Sequence, residues 1–320
     1  MTSFKRLGAL SLLWLTSAAV ASATCGSTTF QPISPFVPNG TTHNAYSLTD
    51  PSGQQRAIFD LVWGGALASL KLNNVEMVWG NATGGMVQPA WHYYPGGAGS
   101  PDYNPTQAGD GSNLGSTVVG VRCVDSNTLY LMTGGVLDYS RGGGGYIVAG
   151  AVKNAGVVSS SYATPYSVVT IATFVSNPGS SPAYYLKLQQ TIANLDPTEA
   201  FPWGFELAGY VPYTFSQTVS YPAACTSASP CAPGSTPQLV GGRYPNTSLT
   251  GGTAFYISPQ TYWAGSANAF VSFGTDTVNQ DQSVHLFNSF WSLGPSKSRT
   301  FIWYVMAGDW SKALSFAQTH

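Results

Sequence analysis

Between Gly84 and Asp110 the chain reads GGMVQPAWHYYPGGAGSPDYNPTQAGD, its densest collection of groups able to do chemistry. The stretch holds His92, the rings of Trp91, Tyr93, Tyr94 and Tyr103, and the amides of Gln88, Asn104 and Gln107. Aromatic faces beside amides and a histidine suit a hydroxyl-rich, weakly charged ligand, and sugars are the obvious members of that class. Elimination from a uronate requires its carboxylate to be neutralised and the C5 proton removed, work suited to an amide or arginine beside a Tyr or His base. His92, Tyr103, Asn104 and Gln107 are of those types, as are Tyr139 and Arg141 further along. Glycoside hydrolysis instead needs two carboxylates roughly 5 to 10 Å apart. Asp102 and Asp110 share the stretch, and Glu206 in Phe201-Pro202-Trp203-Gly204-Phe205-Glu206 sits beside a Trp able to stack on a sugar.

The candidate catalytic residues are therefore His92, Tyr103, Arg141 and Glu206, and the candidate substrate-binding residues are Trp91, Tyr93, Tyr94, Asn104, Gln107 and Trp203. A purely structural role competes with each. His92 and the tyrosines would serve equally to cover the end of a sheet, and Asp102 and Asp110, following Pro and Gly, are typical turn-formers. His285 alternates with apolar residues in Ser283-Val284-His285-Leu286-Phe287 and reads as a strand residue. Asp102, Asn104 and Asp110 are oxygen donors, but the EF-hand spacing is absent, and neither a metal nor a cofactor is expected. Serine-nucleophile and phosphate-loop signatures are missing.

The rest of the chain says where such a site would operate. Lys5 and Arg6 precede an apolar run from Leu7 to Leu15 and a small-residue stretch ending Ala21-Ser22-Ala23, the pattern of a secretory signal peptide covering residues 1–23. The apolar run is too short for a membrane anchor. A lipidated start at Cys25 is the alternative, disfavoured because Thr24 is not the small residue that processing prefers. Of 12 bases the leader takes two, so 10 remain against 13 acids, a formal charge of −3. Only 8% of residues are charged, and no basic stripe exists to neutralise phosphates, which excludes nucleic acid as a partner. Polysaccharide or oligosaccharide is the expected partner; the oligomeric state is not legible.

The four cysteines of an exported chain suggest disulfides. The short spacing of Cys225 and Cys231 makes them the first pair, and Cys25 with Cys123 follows by elimination. Sequons at Asn39, Asn81 and Asn246 would carry glycans in a eukaryotic host.

Gly and Pro interrupt Gly84 to Asp110 so often that the stretch reads as a loop. Around it, period-two or β-branched runs bounded by turn signals predict strands. They are Arg56 to Trp63, Ala66 to Leu72, Val75 to Trp79, Thr117 to Asp125, Thr128 to Thr133, Ser167 to Ser176, Ala183 to Ala193, Tyr210 to Ser220, Ala254 to Ile257, Ala269 to Gly274 and Arg299 to Ala307. Asn73-Asn74 reads as a hairpin turn. Gly142 to Gly145 and Cys225 to Gly242 read as loops. One helix is expected, capped by Asp309, with Trp310, Ala313, Leu314 and Ala317 on one face. The whole is all-β: one large antiparallel β-sandwich domain over residues 24–320 with a short C-terminal helix.

Gly64-Gly65-Ala66-Leu67-Ala68-Ser69-Leu70, followed by Asn73-Asn74-Val75-Glu76-Met77-Val78-Trp79, resembles the opening of galactose mutarotase-like domains. Leu293-Gly294-Pro295-Ser296-Lys297-Ser298-Arg299-Thr300-Phe301 is similar to the turn and last long strand of the same super-sandwich. The resemblance implies a carbohydrate-active superfamily of sugar epimerases and of sandwich domains in polysaccharide lyases and some glycosidases. It also implies, for aldose epimerases, two histidines and a late glutamate. The last glutamate here is Glu206, so that set is not carried over. The expected function is a secreted polysaccharide lyase or glycoside hydrolase acting on an extracellular glycan. The alternative is a non-catalytic glycan-binding or cell-envelope protein stacking sugars on Trp91, Tyr93, Tyr94 and Trp203, and low charge also leaves room for an assembly subunit.

Overall fold

The computed structural model describes residues 23–32, 40–62, 64–78, 88–93, 102–103, 118–134, 145–148, 151–154, 166–195, 197–198, 201–212, 217–221, 238–243, 251–257, 269–276 and 281–319. These form antiparallel strands and one C-terminal helix. An N-terminal sheet runs in sequence order: β1 (Thr24–Phe30), β2 (His43–Thr49), β3 (Gln55–Asp60), β4 (Ala66–Leu72) and β5 (Val75–Glu76). The next strands are β6 (Gln88–Tyr93), β7 (Asp102–Tyr103), β8 (Val118–Asp125) and β9 (Thr128–Gly134). A separate hairpin pairs β10 (Gly145–Val148) with β11 (Ala151–Asn154). Then come β12 (Tyr166–Ser176), β13 (Tyr184–Asn194), β14 (Phe201–Pro212), β15 (Gln217–Tyr221), β16 (Gln238–Arg243) and β17 (Gly251–Ile257). β18 (Ala269–Asp276), β19 (Asp281–Leu293), β20 (Ser298–Asp309) and α1 (Trp310–Thr319) complete the chain. The eight-stranded sheet has the order β15-β16-β17-β20-β13-β12-β9-β8, and a second five-stranded sheet has the order β18-β19-β14-β6-β7.

Local sequence explains the N-terminal sheet well. Asn73 and Asn74 take φ of 49° and 65°, the left-handed pair that a two-residue hairpin requires and that Asn tolerates. β4 is apolar at almost every position because both its faces are covered; Leu67, Ala68 and Leu70 are fully buried. The turn after β3 is organised by Asp60. Its carboxylate accepts the N–H of Val62 (2.8 Å) and the buried His43 Nδ1–H (2.7 Å), while its carbonyl accepts the N–H of Gly65 (2.8 Å). Thr133 on β9 donates to the carbonyl of Gly64 (2.8 Å), and Gln55 Nε2 donates to the Tyr184 carbonyl (2.5 Å). These bonds fix the N-terminal sheet on the eight-stranded one. Between them lies a core that includes Phe59, Leu131, Leu188, Trp303 and Val305.

A disulfide joins Cys25 on β1 to Cys123 on β8, the pairing expected by elimination. β1 and β8 are edge strands of their two sheets, so the bond closes one side of the sandwich. Cys225 and Cys231 lie outside the described residues, as does the leader apart from Ala23. At the other end, Asp309 Oδ1 accepts the N–H (2.8 Å) and hydroxyl (2.7 Å) of Ser311, capping α1 as its sequence predicts. Ala313, Phe316 and Ala317 bury against Tyr185 and Met306, with Leu314 packed alongside. Burial pushes the Tyr185 phenol up to about 12.

The structure corrects three sequence readings. Gly84 to Asp110 is not loop throughout, because it contains β6 and β7. Cys225 to Gly242 likewise ends in β16. The predicted strand from Tyr210 to Ser220 straddles the end of β14 and the start of β15. In the first case, the six residues between breaks are enough for a strand when a neighbour supplies the hydrogen bonds. Local punctuation does not reveal that neighbour.

Candidate functional site

The second five-stranded sheet gathers most of the expected site residues. β14 pairs with β6 so that Trp203 opposes Tyr93, Gly204 opposes His92, Phe205 opposes Trp91 and Glu206 opposes Ala90. β6 pairs with β7 so that Trp91 opposes Tyr103 and His92 opposes Asp102. On the other side of β14, Glu206 opposes Phe287 and Ala208 opposes His285 of β19. His92 and Asp102 are thus direct cross-strand neighbours. His92 and Glu206 are diagonal ones, with α-carbons about 7 to 8 Å apart. Glu206 and His285 stand in the same diagonal relation.

Because residues alternate faces along a strand and opposed residues share a face, the register sorts the sheet into two parities. One carries Gln88, His92, Asp102, Glu206 and His285. The other carries Trp91, Tyr93, Tyr103, Trp203, Phe205, Leu207, Leu286 and Trp291. A β-bulge between Trp203 and Phe205 shifts the register against β19 and keeps Trp203 opposite Trp291. The expected residues are therefore brought to one sheet but divided: His92 and Glu206 on one face, Tyr103 and the rings of Trp91, Tyr93 and Trp203 on the other. Tyr94, Asn104, Gln107 and Arg141 lie outside the described residues, as do Tyr139 and Asp110.

Sequence reading underrated two members of the polar parity. His285 was legible only as a strand residue, and its relation to Glu206 depends on how β19 aligns with β14. Asp102 follows a proline and resembles a turn-former, yet it is in a strand opposite His92.

Titratable groups in the N-terminal sheet have structural partners instead. Glu76 accepts the Ser69 hydroxyl (2.5 Å) and the N–H groups of Leu70 (3.0 Å) and Val78 (3.1 Å). Burial raises its pKa above the ordinary carboxyl value, and those hydrogen bonds offset part of the rise. His43 and Asp60 hold each other beneath the turn described above.

No protein-family model matches the chain, and no curated protein matches its sequence. Solved structures to which it is similar include a TPR-domain containing protein from Parabacteroides distasonis, at 10% identity and TM-score 0.45 over 91% of this chain and 56% of that one. A galactose mutarotase-like protein from Clostridium acetobutylicum matches at 10% identity and TM-score 0.44 over 83% of this chain and 96% of that one. A polysaccharide lyase matches at 11% identity and TM-score 0.36 over 80% of this chain and 32% of that one. The chain spans 56% of the first and about a third of the last. These likenesses agree with the weak mutarotase-like resemblance of the Gly64 and Leu293 segments, and they carry no argument about activity.

Proposed function

We propose that this protein is a secreted carbohydrate-active enzyme that cleaves an extracellular glycan, with hydrolysis as the reaction. The observation that carries the reading is the register placing His92 between Asp102 and Glu206 on one parity of one sheet. Asp102 and Glu206 are two strands apart and offset by two residues, so strand geometry separates their α-carbons by about 12 Å. That leaves room for the water of an inverting hydrolysis, whose carboxyl groups stand about 6.5 to 9.5 Å apart. In this scheme Glu206 protonates the departing glycosidic oxygen. Asp102 removes a proton from the attacking water, and His92 between them holds a sugar hydroxyl. The Cys25–Cys123 disulfide supports an oxidising compartment. Among the described residues no helix is long and apolar enough to cross a membrane.

Elimination fits less well. It calls for Tyr103 beside the His92 base, and the two fall on opposite parities. The parity of Trp91, Tyr93 and Trp203 is also mostly apolar, with Thr275, Gln282 and Asn288 as its polar exceptions, the composition of a face that packs against another layer. β18 and β19 approach β16 and β17 of the eight-stranded sheet. We therefore assign these rings to packing rather than to sugar stacking.

The test is to incubate the purified mature protein with a panel of neutral and uronate polysaccharides while following reducing ends and absorbance at 235 nm. Reducing ends without absorbance are expected, falling about 10²- to 10⁴-fold in Glu206→Gln, Asp102→Asn and His92→Ala. A rise at 235 nm would establish elimination instead. Silence in both channels with retention on a polymer would make the protein a glycan-binding module.

A further inference from the structure

The charges of the second five-stranded sheet are one-sided. Its strands, β18, β19, β14, β6 and β7, contain no lysine or arginine. They contain four acids, Asp102, Glu206, Asp276 and Asp281. The register puts all four on the His92 parity: Asp276 opposes Asp281, Asp281 opposes Pro212, and Pro212 is in step with Glu206 along β14. Arg243, on β16, belongs to the eight-stranded sheet. The described strands of that face bear carboxylates and imidazoles and no lysine or arginine, and such groups accept hydrogen bonds from sugar hydroxyls. Among the described residues of this sheet nothing neutralises an added carboxylate, and each acid repels one.

From this juxtaposition, and resting on the reading of that face as the glycan site, we infer that the substrate is a glycan without carboxylates, a polymer of neutral sugars, and that polyuronates are excluded electrostatically. The inference separates substrate class from reaction type, because charge exclusion acts on binding whether or not a bond is cleaved.

Matched polymers test it. β-1,4-Glucan, β-1,3-glucan, α-1,4-glucan and mannan are each compared with the same polymer after oxidation of its C6 hydroxyls to carboxylates. Affinity is measured by retardation in polymer-containing gels at low salt and at about 0.5 M salt, where screening reaches only a few ångströms. At least one neutral polymer is expected to bind, with its oxidised counterpart about tenfold weaker or worse. The gap should narrow in high salt and in Asp102→Asn. Equal or tighter binding of the oxidised polymer would overturn the inference, as would binding of neither member of any pair. Selective binding of a neutral polymer without new reducing ends would sink the hydrolase reading and leave the substrate class standing. Cleavage of an oxidised polymer with a rise at 235 nm would overturn the substrate class while keeping a carbohydrate-active enzyme.

Discussion

Removing the Cys25–Cys123 bond, by Cys25→Ser with Cys123→Ser, should be among the costliest changes available to this molecule outside its core. The bond spans 98 residues of sequence and pins the edge of the N-terminal sheet to the edge of the eight-stranded sheet. Closing a loop of that length in the unfolded chain removes about 16 cal/mol/K of entropy, or about 4.7 kcal/mol at 25 °C. Between the two cysteines lie all of β2 to β7, including Phe59, Leu67 and Leu70, whose burial depends on the sheets staying together. For a chain of this size the loss corresponds to a fall in melting temperature of roughly 10 °C. Urea denaturation followed by tryptophan fluorescence, on the wild type under oxidising conditions and on the double variant, measures it directly. Adding reductant should lower the wild type's midpoint by far more than the variant's, because the variant keeps only the short loop expected between Cys225 and Cys231. A difference below about 1 kcal/mol would refute the reasoning, because the unfolded chain would then gain little freedom from losing the bond.

Gly308 has φ of +124°, and a Cβ there would overlap Pro182 Cδ. Gly308→Ala should cost about 3 kcal/mol or more in chemical denaturation and loosen α1, whereas Gly26→Ala, with nothing near its added carbon, should be neutral within about 0.5 kcal/mol. Glu76→Ala, which leaves the Leu70 and Val78 amides and the Ser69 hydroxyl without their acceptor, should lose about 3 kcal/mol. The carboxyl's raised folded pKa favours its protonated form. Its contribution is therefore complete below the ordinary carboxyl pKa and declines as pH rises through the folded value. Glu76→Gln should abolish that decline, and parallel stability–pH curves for wild type and variant would contradict the assignment. Trp203→Ala tests the sorting of the second five-stranded sheet: on the packing parity it should cost about 3 to 5 kcal/mol of stability. A variant of unchanged stability with a raised KM would return Trp203 to the sugar site.

The sequence by itself determined the all-β class, the capped C-terminal helix and the Asn73-Asn74 hairpin, because each rests on contacts between near neighbours. A cap needs Asp309 and Ser311, and a tight turn needs two residues that accept positive φ. The near-continuous apolar run Ala66–Leu72 likewise reports a strand buried on both faces, and the alternation along Thr128–Gly134, where Leu129, Leu131 and Thr133 are buried, reports one buried face. The candidate site was legible only as an inventory. Trp91 and His92 are adjacent in sequence and of equally promising chemistry, and nothing local says which belongs with Glu206, more than 100 positions away. That is decided by which strands pair and in what register, a non-local choice in which a slip of one residue would move every side chain to the opposite face. The tertiary structure made that choice, placing His92 with Asp102 and Glu206 and leaving Trp91, Tyr93 and Trp203 with the apolar rows. Cross-strand hydrogen bonds and layer packing select one register among many that the same alternation allows.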